Sequence, residues 1–169
     1  MRTDVTRIGL VLALAAGMTL CGCGGRQIHI QGLGDIRKQN VRIDVVGVNW
    51  AERQQWEKMT MQEYWREGNQ RREDSVSQGY NHPVKFEPAS PCEVVIKEKD
   101  GVWKKWREKG ATHFFVMFDT CTHADAWRIC LPLSPKCWRG RLSKDTIEVA
   151  IQPSGVVSKT TPSSKAGCQ

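Results

Sequence analysis

Between Gly110 and Leu133 the chain carries a continuous apolar run, Phe114-Phe115-Val116-Met117-Phe118, then a polar loop, then Trp127-Arg128-Ile129-Cys130-Leu131. A short run that is apolar at every position has no face to leave in water, so it must be covered on both sides, as a strand inside a sheet is. Aromatic enrichment, Gly110 in front and the polar loop behind favour a strand over a buried helix. His113, Phe115 and Met117 then point to one side of the sheet, and Phe114, Val116 and Phe118 to the other. In the second arm Trp127, Ile129 and Leu131 alternate with Arg128 and Cys130, the pattern of a strand with one wet face, and Pro132 removes the next ladder donor. The segment reads as a β-hairpin at the centre of a sheet.

The chain has 169 residues, enough for one domain with a real core, and a formal charge of +7. Its charges alternate in sign (Glu52-Arg53, Arg71-Arg72-Glu73-Asp74, Lys97-Glu98-Lys99-Asp100), and no Lys/Arg block stands alone. That is a solvated, mildly cationic surface, attracted at most to anionic lipid or cell-wall polymer; nucleic acid is not an expected partner.

At the N-terminus Arg2 and Arg7 precede an apolar or small-residue stretch from Ile8 to Leu20. It is too short to span a bilayer and suits a signal-peptide core, with Asp4 an unusual acidic residue in the lead. Leu20-Cys21-Gly22-Cys23 follows, which resembles the lipobox of bacterial lipoproteins, with Cys21 in place of the usual Ala or Ser. Cys23 is then the lipidation site: its thiol takes the diacylglyceryl group, and small neighbours admit the signal peptidase. With Gly24 rather than Asp after it, the resemblance implies delivery to the outer membrane, on the periplasmic face. Loss of residues 1 to 22 removes Arg2, Arg7 and Asp4, lowering the formal charge of +7 by one.

Residues 23 to 40 read as a tether, flexible at Gly24-Gly25, with a first strand at Gln27 to Gln31. The domain proper spans 41 to 158. Val41, Ile43 and Val45 alternate with Arg42 and Asp44, predicting a half-buried strand. From Asn49 the period becomes helical, and two short helices are expected within 50 to 68, with Thr60-Met61-Gln62-Glu63 as a capping box and Gly68 as the stop. Trp56, Met59, Met61, Tyr64 and Trp65 form their packing faces. Asn69 to His82 offers little to bury and predicts an exposed, mobile loop. Strands follow at Val84 to Phe86 and Cys92 to Ile96, then a helix capped by Asp100 with Trp103 and Trp106 on one side and Gly110 at its end. After the hairpin comes a basic, turn-rich stretch (Lys136, Arg139, Arg141, Lys144). Ile147, Val149 and Ile151 mark a final strand, continued by Val156 and Val157. Residues 159 to 169 predict a disordered tail. The sum is a mainly β fold: a β-sandwich with a short inserted helical segment and projecting loops.

Gly110-Ala111, Val116, Phe118-Asp119 and Trp127-Arg128, behind a lipobox and an inserted helical segment, resemble the outer-membrane lipoprotein family of type VI secretion systems, TssJ. The chain departs from the family pattern at Val46-Gly47-Val48 and at Pro88-Ala89. The resemblance implies a lipid-anchored scaffold without a cofactor that holds the periplasmic domain of an inner-membrane secretion component (TssM-like) through its loops. Arg71, Arg72, Glu73 and Asp74, on the inserted polar segment, are the expected partner-binding residues. The competing class is a cell-envelope lipoprotein that binds metal or carbohydrate.

Asp119, Cys121, His123 and Asp125 occupy alternate positions in the hairpin loop, but an extended chain spreads them in both directions, so no metal site is expected. Cys121 beside His123 lacks an oxyanion motif, no phosphate loop or nucleophile elbow occurs, and no catalytic residue is assigned. His113 reads as a core histidine. Outside the cytoplasm thiols serve disulfides. Beyond Cys23 the cysteines are Cys92, Cys121, Cys130, Cys137 and Cys168, an odd number. Cys92, Cys121, Cys130 and Cys137 are the candidates for bridges, with Cys168 in the tail left over.

Overall fold

The structure is a computed structural model that describes residues 25–88, 90–120, 122–139, 145–165 and 168. The signal segment at residues 1 to 22, Cys23, Cys121, Arg141 and Lys144 lie outside the described residues. Eight strands form two sheets: β1 (Gln27–Gly32), β2 (Val41–Val48), β3 (Asn81–Phe86), β4 (Glu93–Lys97), β5 (His113–Phe118), β6 (Arg128–Pro132), β7 (Thr146–Gln152) and β8 (Gly155–Ser158). One sheet has the order β4-β1-β7-β8 and the other β3-β2-β5-β6. All neighbours are antiparallel except β1 and β7, which run parallel. The helices are α1 (Trp50–Lys58), α2 (Met61–Trp65), α3 (Gln70–Ser77) and α4 (Gly101–Glu108). No helix among the described residues is long and apolar enough to cross a membrane.

The fold is a β-sandwich, as the alternation in the sequence predicts, and β5 is buried at every position. Its two faces serve two cores. Phe114, Val116 and Phe118 enter the main core between the sheets, with Ile28, Ile30, Ile43, Val45, Val149 and Ile151. Phe115 and Met117 enter a second core, with Val46, Val48, Trp56, Met61, Tyr64 and Trp65. α1 and α2 thus form a third layer on the outer face of the second sheet. This corrects the half-buried expectation for β2: all its residues but Arg42 are buried, because helices rather than water cover the face carrying Asp44, Val46 and Val48. The run Val45-Val46-Gly47-Val48 carries that information, since both faces are apolar there.

α4 closes one end of the main core with Trp103 and Trp106. A Cβ on Gly47 would sit 2.3 Å from the Trp106 ring, so the indole packs where a side chain would otherwise be. Trp106 Nε1 donates to the Tyr80 carbonyl at 2.7 Å, which fixes the ring against the strand. Asp100 sits at the N-cap of α4 but does not cap it with its side chain, contrary to expectation. Its carboxylate instead accepts from Lys97 N at 2.7 Å and closes the turn after β4.

Two further expectations are corrected. The segment expected to be a mobile loop, Asn69 to His82, contains α3, started by Asn69 accepting from Arg72 N at 2.9 Å and tied to the sheet by buried Ser75 and Asn81. The helical insertion therefore runs to Ser77. The tail expected to be disordered from Lys159 is docked over its described residues, 159–165 and 168. Thr160 and Ser163 are buried, Trp138 pairs with Pro162, and Ser163 N donates to the Cys137 carbonyl at 2.7 Å. That return path brings Cys168 to Cys137, and the two form a disulfide with Cα atoms 5.3 Å apart. Cys168 is thus bridged rather than left over, because backbone pairing holds a tail that composition alone marks as polar. Among the described residues Cys92 and Cys130, both expected as bridge candidates, have no disulfide partner.

Candidate functional site: the helical layer

Three capped turns build the layer. Asn49 and Glu52 form a capping box at the start of α1: Glu52 N donates to Asn49 Oδ1 at 2.9 Å and Asn49 N donates to Glu52 Oε2 at 3.2 Å. Thr60 and Glu63 repeat it at α2, with Glu63 N to Thr60 Oγ1 at 3.1 Å, and the bonds from Thr60 hold the Glu63 carboxyl below its usual range. At the other end of α1, Arg128 from β6 donates to the Trp56, Met59 and Glu57 carbonyls at 3.2, 2.5 and 3.3 Å. A guanidinium on the open carbonyls of a helix C-terminus satisfies groups the helix cannot and complements its dipole.

Beneath the layer lies a buried ionic knot. Asp44 is 1% exposed, yet its Oδ2 accepts from Arg72 Nε at 2.8 Å, Tyr64 OH at 2.5 Å and Asn81 Nδ2 at 2.9 Å. Burial and the adjacent Asp44 charge push the Tyr64 hydroxyl pKa well above its ordinary value, so it stays a donor. Burial works against the Arg72 charge, but Asp44 beside it outweighs that and raises the guanidinium pKa. Arg72 also lies over the Trp65 ring at 4.8 Å, and Arg42 faces the same ring at 5.2 Å.

On the outer side, α1, α3 and the residue before β3 enclose a polar groove of about 420 Å³, with Gln55, Trp56, Gln70, Arg71, Asp74 and Tyr80 among its walls. Arg71 Nη2 donates to Gln55 Oε1 at 3.0 Å, and Gln70 Nε2 donates to Asp74 Oδ1 at 2.7 Å. These contacts are polar and solvent-facing, and all could exchange for a partner's groups. Of the four residues expected to bind a partner, the structure brings Arg71 and Asp74 together on this groove and leaves Glu73 exposed on the first turn of α3. Arg72 points inward, and its role is to hold the layer down. The sequence signal for that division is the helical period: in a loop four consecutive charges are equivalent, whereas on a helix one of them must face the sheet.

The hairpin loop serves the same joint. Asp119 pairs with Arg42 at 2.5 Å and accepts from His123 Nε2 at 3.2 Å, and Asp125 pairs with Arg128 at 3.2 Å. Trp127 stacks on Phe118 at 5.2 Å between ring centres. Phe118, Asp119, Trp127 and Arg128 therefore clamp loop and helical layer to the sheet. No group of three His, Cys, Asp or Glu among the described residues is placed to hold a metal ion. His113 meets Arg53 Nη1 at 3.1 Å and Thr112 Oγ1 at 2.9 Å, and burial, with Arg53 second, lowers its pKa to about 4. Burial likewise pushes the Cys130 thiol up to about 12, which leaves it a poor nucleophile.

No protein-family model matches the chain, and no curated protein is similar to it at a significant level. Among solved structures the chain is similar to Serratia marcescens Lip, a membrane bound component of the Type VI Secretion System, at a TM-score of 0.46 and 13% identity, over 82% of this chain and 97% of that one.

Proposed function

We propose that this protein is a non-catalytic, lipid-anchored scaffold of the cell envelope, of the type VI secretion lipoprotein kind. Cys23 carries its lipid in the outer membrane, and α1 and α3 present the groove rimmed by Arg71 and Asp74 to the periplasmic domain of an inner-membrane partner. The observation that carries the reading is the ionic knot under the layer. A buried Asp44 tied to Arg72, Tyr64 and Asn81 immobilises a helical layer whose outer face remains polar and open. A preordered polar surface of that kind suits recognition through exchangeable hydrogen bonds and charges. The lipobox-like Leu20-Cys21-Gly22-Cys23 supports the anchor.

The test has two arms. Mass spectrometry of the mature N-terminus should find an acylated Cys23, and Cys23→Ser should release the protein from membranes; an unmodified terminus elsewhere removes the anchor. Capture of the partner's periplasmic domain by wild-type protein, lost in an Arg71→Glu, Asp74→Lys variant of unchanged fold, supports the docking role. Absence of capture at low salt removes it.

A further inference from the structure

At the end of the sandwich where β1 and β5 begin and β6 ends, α4 and the docked tail enclose a second, larger groove of about 900 Å³. Among the described residues its walls carry four cations, Arg26, Arg107, Lys136 and Lys165, and no carboxylate. Arg26 is spoken for: it pairs with Glu98 and donates to the Leu133 carbonyl at 3.3 Å. The other three make no ion pair among the described residues and are exposed. Trp103 and Trp138 supply apolar walls, and Trp138 Nε1 is buried without an acceptor among the described residues. A concave site with three unpaired cations on its rim suits an anion.

The position of the groove says which anion. Arg26 is three residues beyond Cys23. A fully extended chain covers at most about 3.6 Å per residue, so Arg26 lies within roughly 11 Å of the anchoring residue. We infer that this groove is the membrane-facing site of the protein and that it takes the phosphate group of an anionic phospholipid headgroup, with Arg107, Lys136 and Lys165 as the cations and the buried Trp103 and Trp138 as its rigid backing. Exposed basic side chains are drawn to a bilayer surface of negative charge. The disulfide between Cys137 and Cys168 holds the tail, with Lys165, as one wall of the groove. The choice of a headgroup over free phosphate rests on the lipid anchor proposed above; the anion site itself does not.

The experiment uses the unlipidated chain from Gly25 to Gln169, which contains both cores in full. It is mixed with vesicles of phosphatidylcholine alone and with vesicles containing about one-third phosphatidylglycerol, and bound protein is measured by flotation. Expected is binding to the anionic vesicles only, weakened tenfold or more by Lys136→Glu with Lys165→Glu, since each basic residue near such a surface is worth about fivefold. The pair Lys38→Glu, Lys85→Glu changes net charge equally away from the groove and should retain most of the binding. Thermal melting controls the fold of each variant. Equal losses from both pairs, no binding to anionic vesicles, or tight binding of inorganic phosphate without any affinity for vesicles would each overturn the inference. Because no lipid is attached in this assay, its outcome is independent of whether Cys23 is acylated, which the mass of the mature N-terminus reads separately.

Discussion

Arg72 on α3 donates to Asp44 on β2 across 28 positions of sequence, joining the helical layer to the sheet by a carboxylate that is 1% exposed. Breaking a buried pair by removing one partner leaves an uncompensated charge and costs about 3 to 5 kcal/mol. With the Arg72 side chain 25% exposed, water relieves part of that charge, so Arg72→Met should fall near the lower end, about 3 kcal/mol. Urea unfolding measures it, and Asp44→Asn with Arg72→Met should cost less than the two single changes added, the mark of a coupled pair.

Gly47→Ala should destabilise by about 1 to 3 kcal/mol, because its Cβ would meet the Trp106 ring at 2.3 Å and the ring is held by its bond to Tyr80. Thermal melting of Gly47→Ala in a Trp106→Leu background should show most of that loss relieved.

Reduction, or Cys168→Ser, should lower stability by about 3 to 4 kcal/mol, since the bridge closes a 31-residue separation. Peptide mapping without reductant should recover Cys137 joined to Cys168, with Cys130 slow to alkylate because burial has pushed its thiol up to about 12.

Stability should also fall on mild acidification. His113 is neutral in the fold, with its pKa lowered to about 4 against an ordinary 6.5. The unfolded chain therefore binds a proton first as pH drops, and stability present above pH 6.5 is lost progressively until pH 4, by at most about 3 kcal/mol. His82, whose pKa burial also lowers, adds to the loss in the same direction. Denaturant midpoints for wild type and His113→Gln between pH 7 and pH 4.5 separate the two, with the variant showing the shallower dependence.

The sandwich was legible wherever period and burial agreed. The two-sided apolar run of β5, the single alternation of β1 and β7, and the Thr60–Glu63 capping box describe local physics that the tertiary structure does not override. What could not be read depends on contacts between distant residues. Asp44 looks like a solvent-facing residue until α3 supplies Arg72, and Arg71 to Asp74 look equivalent until a helix sorts them into one anchor and three outward groups. The tail and its disulfide are the extreme case. Lys159 onward has the composition of a disordered segment, and only the pairing of Trp138 with Pro162 and the burial of Thr160 and Ser163 fix its path.

Calorimetric titration of the inner-membrane partner's periplasmic domain into the folded chain reads directly whether the helical layer is a docking surface. Wild type should bind with a salt-sensitive affinity, and Arg71→Glu with Asp74→Lys should weaken it at least tenfold while leaving the melting temperature within a few degrees. Titration curves that coincide for wild type and this folded variant, or no heat from wild type at low salt, would contradict the docking role.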